Sequence, residues 1–203
     1  MKIICSLILL TLFVITIYAF QKEHSAIEIK SPNDWRPETI NFPLDFAPQI
    51  AYKGVEELRF APGMFKPAAN TYFTYLFVWD LEGKQPIGAD TLSQELTSYF
   101  KGLCKEVGAA RQIEMDLAKI TTEVTTVENS TVINKQKYKK VFRAKVNAFD
   151  PFNNGEALKL NIEITLLNTE NDKTVLCYCV SPKPFDDEIW KQLYEIRESI
   201  QVK

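Results

Sequence analysis

The strongest constraint on this chain is a series of strand-length segments between residues 115 and 180 with no helical pattern among them. The clearest is 156–167, where Leu158, Leu160, Ile162, Ile164 and Leu166 alternate with Lys159, Asn161, Glu163 and Thr165. A period of two puts the first set on one face of a strand and the second on the other. In 137–149, Phe142, Ala144, Val146 and Ala148 alternate with Arg143, Lys145 and Asn147 in the same way. Segments 115–127 and 173–180 complete the series, and Asn153-Asn154-Gly155 and Asn171-Asp172 supply hairpin turns. Four successive strands exclude βαβ winding and predict an antiparallel sheet with one apolar and one polar face.

Two more strands precede them. Residues 55–60 form a short one, closed by Ala61, Pro62 and Gly63. In 72–81, Phe73, Tyr75, Phe77, Trp79 and Leu81 share one face, while Tyr72, Leu76 and Val78 share the other. A strand apolar on both faces belongs in the middle of a sheet covered on both sides. The spacing of Leu92, Leu96, Tyr99, Phe100, Leu103 and Val107 predicts a helix over 91–107, capped by Thr91 with Gln94 or by Asp90, and ended by Gly108. A second helix over 186–200 carries Asp186, Asp187 and Glu188 in its first turn and buries Ile189, Leu193, Ile196 and Ile200. Phe42–Pro48, rich in aromatics and proline, reads as an extended strap against the core. The predicted class is α+β: an antiparallel sheet of about six strands with two packed helices, in the order β-β-α-β-β-β-β-α.

The first residues read as an export signal. Lys2 opens a mostly apolar run that reaches Ala19 with Ser6, Thr11 and Thr16 as polar breaks, and the chain turns polar from Gln21. Residues 1–19 are therefore expected to be a signal peptide, 20–36 a mobile N-terminal arm and 37–203 a single α+β domain. The expected location is periplasmic or extracellular, with membrane contact only if the signal segment is retained as an anchor. A hydrophobic content of 46% excludes a disordered chain, and a net charge of −2 with interspersed signs argues against nucleic acid as a partner. In an oxidising compartment, Cys104 bonded to Cys177 or Cys179 is one expectation and three buried thiols the other. Cys177 and Cys179, two apart on one strand face, cannot easily bond each other.

The single histidine is His24, outside the predicted domain. Without it the domain has no Ser-His or Cys-His nucleophile pair and no histidine metal site, and no Gly-rich phosphate loop is present. No cofactor or metal is expected. Glu56 and Glu57, adjacent on a strand, face opposite sides and cannot form a dyad. The segment from Asp150 to Glu156 has the look of a calcium loop, but Phe152 stands where an oxygen ligand is needed, so it reads as a hairpin turn. Asn129-Ser130-Thr131 matches a glycosylation acceptor. The aromatic face Tyr72–Trp79 reads either as core or as a groove or sugar-stacking platform, and Phe60, Met64 and Phe65 as an exposed apolar lip or a plug beneath the strap. An ion pair between Arg59 and Asp80 is the simplest reading of those charges. If the domain binds anything, the expected site is Arg59, Phe60, Met64, Phe65, Tyr75 and Trp79, because irregular backbone rich in aromatics is where binding residues concentrate.

Phe42–Pro48 (FPLDFAP), Val55–Phe65 (VEELRFAPGMF) and Tyr72–Gly83 (YFTYLFVWDLEG) resemble segments of a group of uncharacterised exported bacterial proteins, a likeness that implies an exported bacterial setting and no activity. The strands running into Ser181-Pro182-Lys183-Pro184-Phe185 and then a final helix are similar in pattern to the PsbP-like α-β-α sandwich group. The functional expectation is a non-enzymatic exported domain binding a partner protein or a small apolar or glycan ligand. The alternatives are a hydrolase using Glu56, Asp80 and Asp150, or a structural envelope component.

Overall fold

The computed structural model describes residues 27–128, 134, 136–170 and 172–202. The signal segment, His24, the Asn129-Ser130-Thr131 acceptor and Asn171 lie outside the described residues. A seven-stranded sheet forms the middle layer, in the spatial order β2-β3-β4-β8-β7-β6-β5 with every neighbour antiparallel. Its strands are β2 (Arg36–Asn41), β3 (Gly54–Phe60), β4 (Tyr75–Glu82), β5 (Thr121–Thr126), β6 (Tyr138–Phe149), β7 (Ala157–Leu167) and β8 (Lys173–Ser181). Helix α1 (Ala89–Arg111) covers one face and α2 (Ile189–Ser199) the other. The class is α+β as the alternation predicts, with one strand more in the sheet. That strand, β2, contains Pro37, which an edge position tolerates because its missing N–H breaks no central ladder bond.

The alternation sorts the side chains between two cores. Phe77, Trp79 and Leu81 of β4 join Phe142, Ala144, Val146, Leu160, Ile162 and Ile164 beneath α1. Leu76, Val78, Val175, Cys177 and Cys179 face the other way, against Trp190, Leu193 and Ile196 of α2. Strand β4 begins only at Tyr75, because Thr71–Thr74 turn and Phe73 takes a left-handed backbone (φ 49°). Tyr72 therefore leaves the face it was expected to share with Leu76, and packs on the α1 side with its hydroxyl donating to Asp150.

Several expectations are corrected by this layering. The outer face of β7 is solvated only at its start, where Lys159 is exposed: further along, Glu163 is 5% exposed and Thr165 fully buried, because α2 lies over them. A disulfide from Cys104 to Cys177 or Cys179 is ruled out, since Cys104 is on the buried side of α1 and the other two lie on the opposite face of the sheet; all three are buried free thiols. Residues 27–36 are no mobile arm. Ile27, Ile29 and Trp35 are buried in the α2-side core, and β1 (Ile27–Glu28) pairs antiparallel with β9 (Gln201–Val202).

Helix α1 starts at the N-cap Gly88, where no side chain caps it, so neither Thr91 nor Asp90 plays the expected role. It also passes through Gly108 to end on Gln112 in a left-handed conformation. Gly102 matters for a different reason. The 42–50 strap crosses the helix there, and a Cβ on Gly102 would stand 1.9 Å from the Phe46 carbonyl oxygen. A side-chain-free position thus lets the strap lie directly on the helix. Leu44 and Ala47 are fully buried along it, held in successive turns by Ala47 N donating to Leu44 O and Ile50 N to Ala47 O.

Candidate ligand-binding site

Helix α1 lies closest to β5 and β6, so the β2–β3 side of the same face is roofed by loops instead. The strap supplies Phe46, the 61–74 segment supplies Met64 and Phe65, and the β6–β7 turn supplies Phe152. This roof leaves an apolar cavity of about 270 Å³ against the helix residues Tyr99, Leu103 and Val107. The register explains which strand residues face it. Arg36, Glu38 and Ile40 of β2 pair with Phe60, Leu58 and Glu56 of β3, which places all six on the α1 face. The 61–74 segment is pinned across the opening by the Phe73 N–H, which donates to the Met64 carbonyl at 2.9 Å.

Rings dominate the mouth. Phe65 is 41% exposed, the one exposed large hydrophobic among the described residues, and its ring lies 5.6 Å from Phe60 and 5.0 Å from Phe152. The Arg36 guanidinium stacks over Phe60 at 4.6 Å and Phe65 at 5.4 Å, and pairs with Glu38 at 3.3 Å. A weakly hydrated guanidinium on aromatic faces closes the opening without sealing it with aliphatic groups.

Tyr75 forms part of the wall. It is 2% exposed, stacks on Phe77 with ring centroids 5.8 Å apart, and its hydroxyl has no hydrogen-bond partner. Burial, and then the nearby Glu56 carboxyl, hold it well above the usual tyrosine range, so it stays an O–H group. Glu56 itself is completely buried, accepting a bond from Trp79 Nε1 at 3.2 Å while its Oε2 has none. Desolvation pushes its pKa up to about 7, and the opposing bonds from Trp79 and Tyr99 do not offset it. Glu95, on the helix above, is likewise raised by burial although the Tyr52 hydroxyl donates to it.

Of the residues singled out from the sequence, Phe60, Met64, Phe65 and Tyr75 line this cavity. Met64 is a plug at 2% exposure and Phe65 the lip, so the two readings of that turn divide between neighbouring residues. Trp79 lies deeper, fully buried in the core beneath α1. Arg59 points to the opposite face, where it pairs with Glu57 at 3.3 Å, and Asp80 pairs with Lys173 at 3.0 Å. The expected Arg59–Asp80 pair is therefore replaced by two others. With Tyr75, Phe77 and Trp79 all at 2% exposure or less, strand β4 offers no sugar-stacking platform. Glu56, Asp80 and Asp150 are not brought together either: Asp80 faces away from Glu56, and Asp150 closes the β6–β7 turn, accepting from Phe152 N at 3.0 Å. Arg36, which falls within the expected arm, and Glu38 and Ile40, in the domain but with no role expected of them, also line the cavity. The single available signal was the period-two placement of Glu38 and Ile40, too short to stand out.

No protein-family model matches this chain, and no curated protein matches it. Among solved structures the chain is similar to cyanobacterial PsbP (CyanoP) from Synechocystis sp. PCC 6803. The likeness covers 89% of this chain and 91% of that one at 10% identity, with a TM-score of 0.39. It is the architectural likeness of the two drawn from the sequence. No helix among the described residues is long and apolar enough to cross a membrane.

Proposed function

We propose that this domain binds a small, largely apolar ligand in the cavity between α1 and the β2–β3 edge, acting as a binding module in the exported setting that residues 1–19 predict. The observation that carries this reading is the cavity itself: about 270 Å³ walled by rings and aliphatic chains, with an exposed phenylalanine at its mouth. A concave, mainly apolar space with a small number of polar side chains, here Arg36, Glu38 and Glu106 among the lining residues, is the usual make-up of a small-molecule site. An apolar cavity smaller than this one holds benzene, so the space suits a ligand of about one to two rings. A glycan is disfavoured, because its hydroxyls find few polar groups in such walls. A protein partner is disfavoured because one exposed ring falls far short of an interaction patch.

Calorimetric titration with naphthalene tests the proposal. The wild-type chain is expected to take up one equivalent. Leu103→Trp, which fills the cavity from its helix wall, is expected to abolish uptake. Phe65→Ala is expected to weaken it by roughly tenfold while shifting stability by less than about 1 kcal/mol, as suits a partly exposed position. Equal uptake by wild type and Leu103→Trp, or none by wild type, removes the proposal.

A further inference from the structure

Three charged residues line the cavity: Arg36 and Glu38 on the β2 side and Glu106 on the α1 side. We infer that the ligand is a ring compound carrying a cationic amine, its rings inside the cavity and its ammonium at the opening, held by Glu38, Glu106 and the aromatic faces there. The inference rests on the cavity being a ligand site and names the charge of what that site takes.

The lining is unbalanced in charge. Two carboxylates stand against one guanidinium, and that guanidinium is already engaged, paired with Glu38 at 3.3 Å. Glu106 has no ion pair among the described residues. Lys101 and Lys105 of the same helix line the adjoining groove with Asp45 and are not part of the cavity lining. Both carboxylates can be reached from outside: the Glu38 side chain is 40% exposed, and Glu106 is exposed. A ligand head group therefore meets them without entering the core.

The rings at the mouth already hold a cation of the chain's own. The Arg36 guanidinium lies 4.6 Å from the Phe60 centroid and 5.4 Å from that of Phe65. An aromatic face is negative and attracts positive charge placed over it. An ammonium at the opening finds the same faces together with the unpaired Glu106, and it keeps part of its hydration, which spares it the cost of burying a charge. A carboxylate or phosphate at that place would compete with Glu38 for Arg36 and lie close to like charge. A neutral compound gains only the apolar walls, to which Phe60, Tyr99 and Phe152 contribute flat faces.

The test measures naphthalene, 2-naphthylmethylamine and 2-naphthoate on the full chain at about pH 7, where the amine is a cation and the acid an anion. Wild type is expected to bind the amine about threefold more tightly than naphthalene, the modest gain of an exposed ion pair and a cation on rings. Over 2-naphthoate the preference is expected to be about tenfold or more, and to shrink in high salt because the charges are exposed. Glu106→Gln is expected to lower the amine-to-naphthoate ratio by about threefold. Glu38→Gln with Glu106→Gln leaves Arg36 as the only charge and is expected to reverse the order, so that naphthoate binds more tightly. Both positions are exposed, and unfolding curves confirm that the variants fold. If naphthalene or naphthoate binds wild type at least as tightly as the amine, or if the double variant keeps the wild-type order, the ligand class is wrong while the cavity remains a binding site. If none of the three probes binds wild type, the cavity reading itself fails and this inference with it.

Discussion

Arg197→Met is expected to destabilise the domain by about 3–5 kcal/mol in urea unfolding, the usual cost of removing one partner from a buried ion pair. Arg197 and Glu163 are both about 5% exposed, and their nearest charged atoms are 2.7 Å apart. Around them, Arg143 reaches the second Glu163 oxygen at 3.0 Å, the Tyr194 hydroxyl donates to it at 3.2 Å, and the guanidinium of Arg197 stacks over Tyr194 at 4.5 Å. Deleting Arg197 leaves Glu163 beneath α2 with Arg143 as its remaining charge partner, and Arg143 is nearly half exposed. The double change Glu163→Leu with Arg197→Met is expected to restore most of the loss, because an apolar pair of similar volume has no desolvation penalty to recover. A single-variant cost below about 1 kcal/mol would mean that Arg143 alone satisfies Glu163.

The second large effect is a pH dependence centred on Glu56. Its folded-state pKa, raised from 4.5 to about 7 by burial, means the folded chain holds a proton there that the unfolded chain releases earlier. Stability from this group is fully present below about pH 4.5 and lost as pH rises through about 7, a difference of about 3 kcal/mol. Glu56→Gln keeps an acceptor for Trp79 Nε1 and cannot ionise. The variant is therefore expected to be as stable as wild type near pH 4.5 and more stable by about 3 kcal/mol at pH 8. Glu95, raised in the same direction, contributes to both proteins and drops out of the comparison. Urea midpoints at the two pH values decide it, and a gap between the proteins that does not widen with pH contradicts the assignment.

Both effects come from charges on sheet faces that the sequence presents as ordinary. Glu163 occupies a polar position in a clean alternation, and nothing local distinguishes it from the solvated Lys159 on the same strand. What buries it is α2, which returns across β7 and β8 after the chain has left the sheet, and long-range docking leaves no mark on a strand's own periodicity. Glu56 is similar: it and Glu57 fall on opposite faces of one strand, and only the placing of the strap and α1 decides which of the two is fully buried. By contrast, β6 and β7 were legible because each carries enough alternating residues to fix its face. The central place of β4 followed from its two apolar faces.

The cavity was half legible for the same reason. Phe60, Met64, Phe65 and Tyr75 announce themselves as aromatics and methionine around a Pro-Gly turn. Arg36 and Glu38 belong to an edge strand of six residues interrupted by a proline, and Tyr99, Leu103 and Val107 look like any buried helical stripe. That the stripe's end faces space and not sheet follows from where α1 lies relative to β5 and β6, which spacing alone does not determine. The Cys104 bridge failed on a related point. Each cysteine sat on a predictable face of its own element, but the opposition of those faces depends on which helix covers which side.

Whether the space between α1 and the β2–β3 edge is a binding site is decided most directly by a crystal structure grown with naphthalene. One naphthalene per chain is expected in that space, in contact with Phe60, Tyr99 and Leu103, with Phe65 and Arg36 over the opening. Contradiction would be a cavity closed by Phe46 or Phe65 collapsing into it, or naphthalene bound elsewhere on the surface with this space empty.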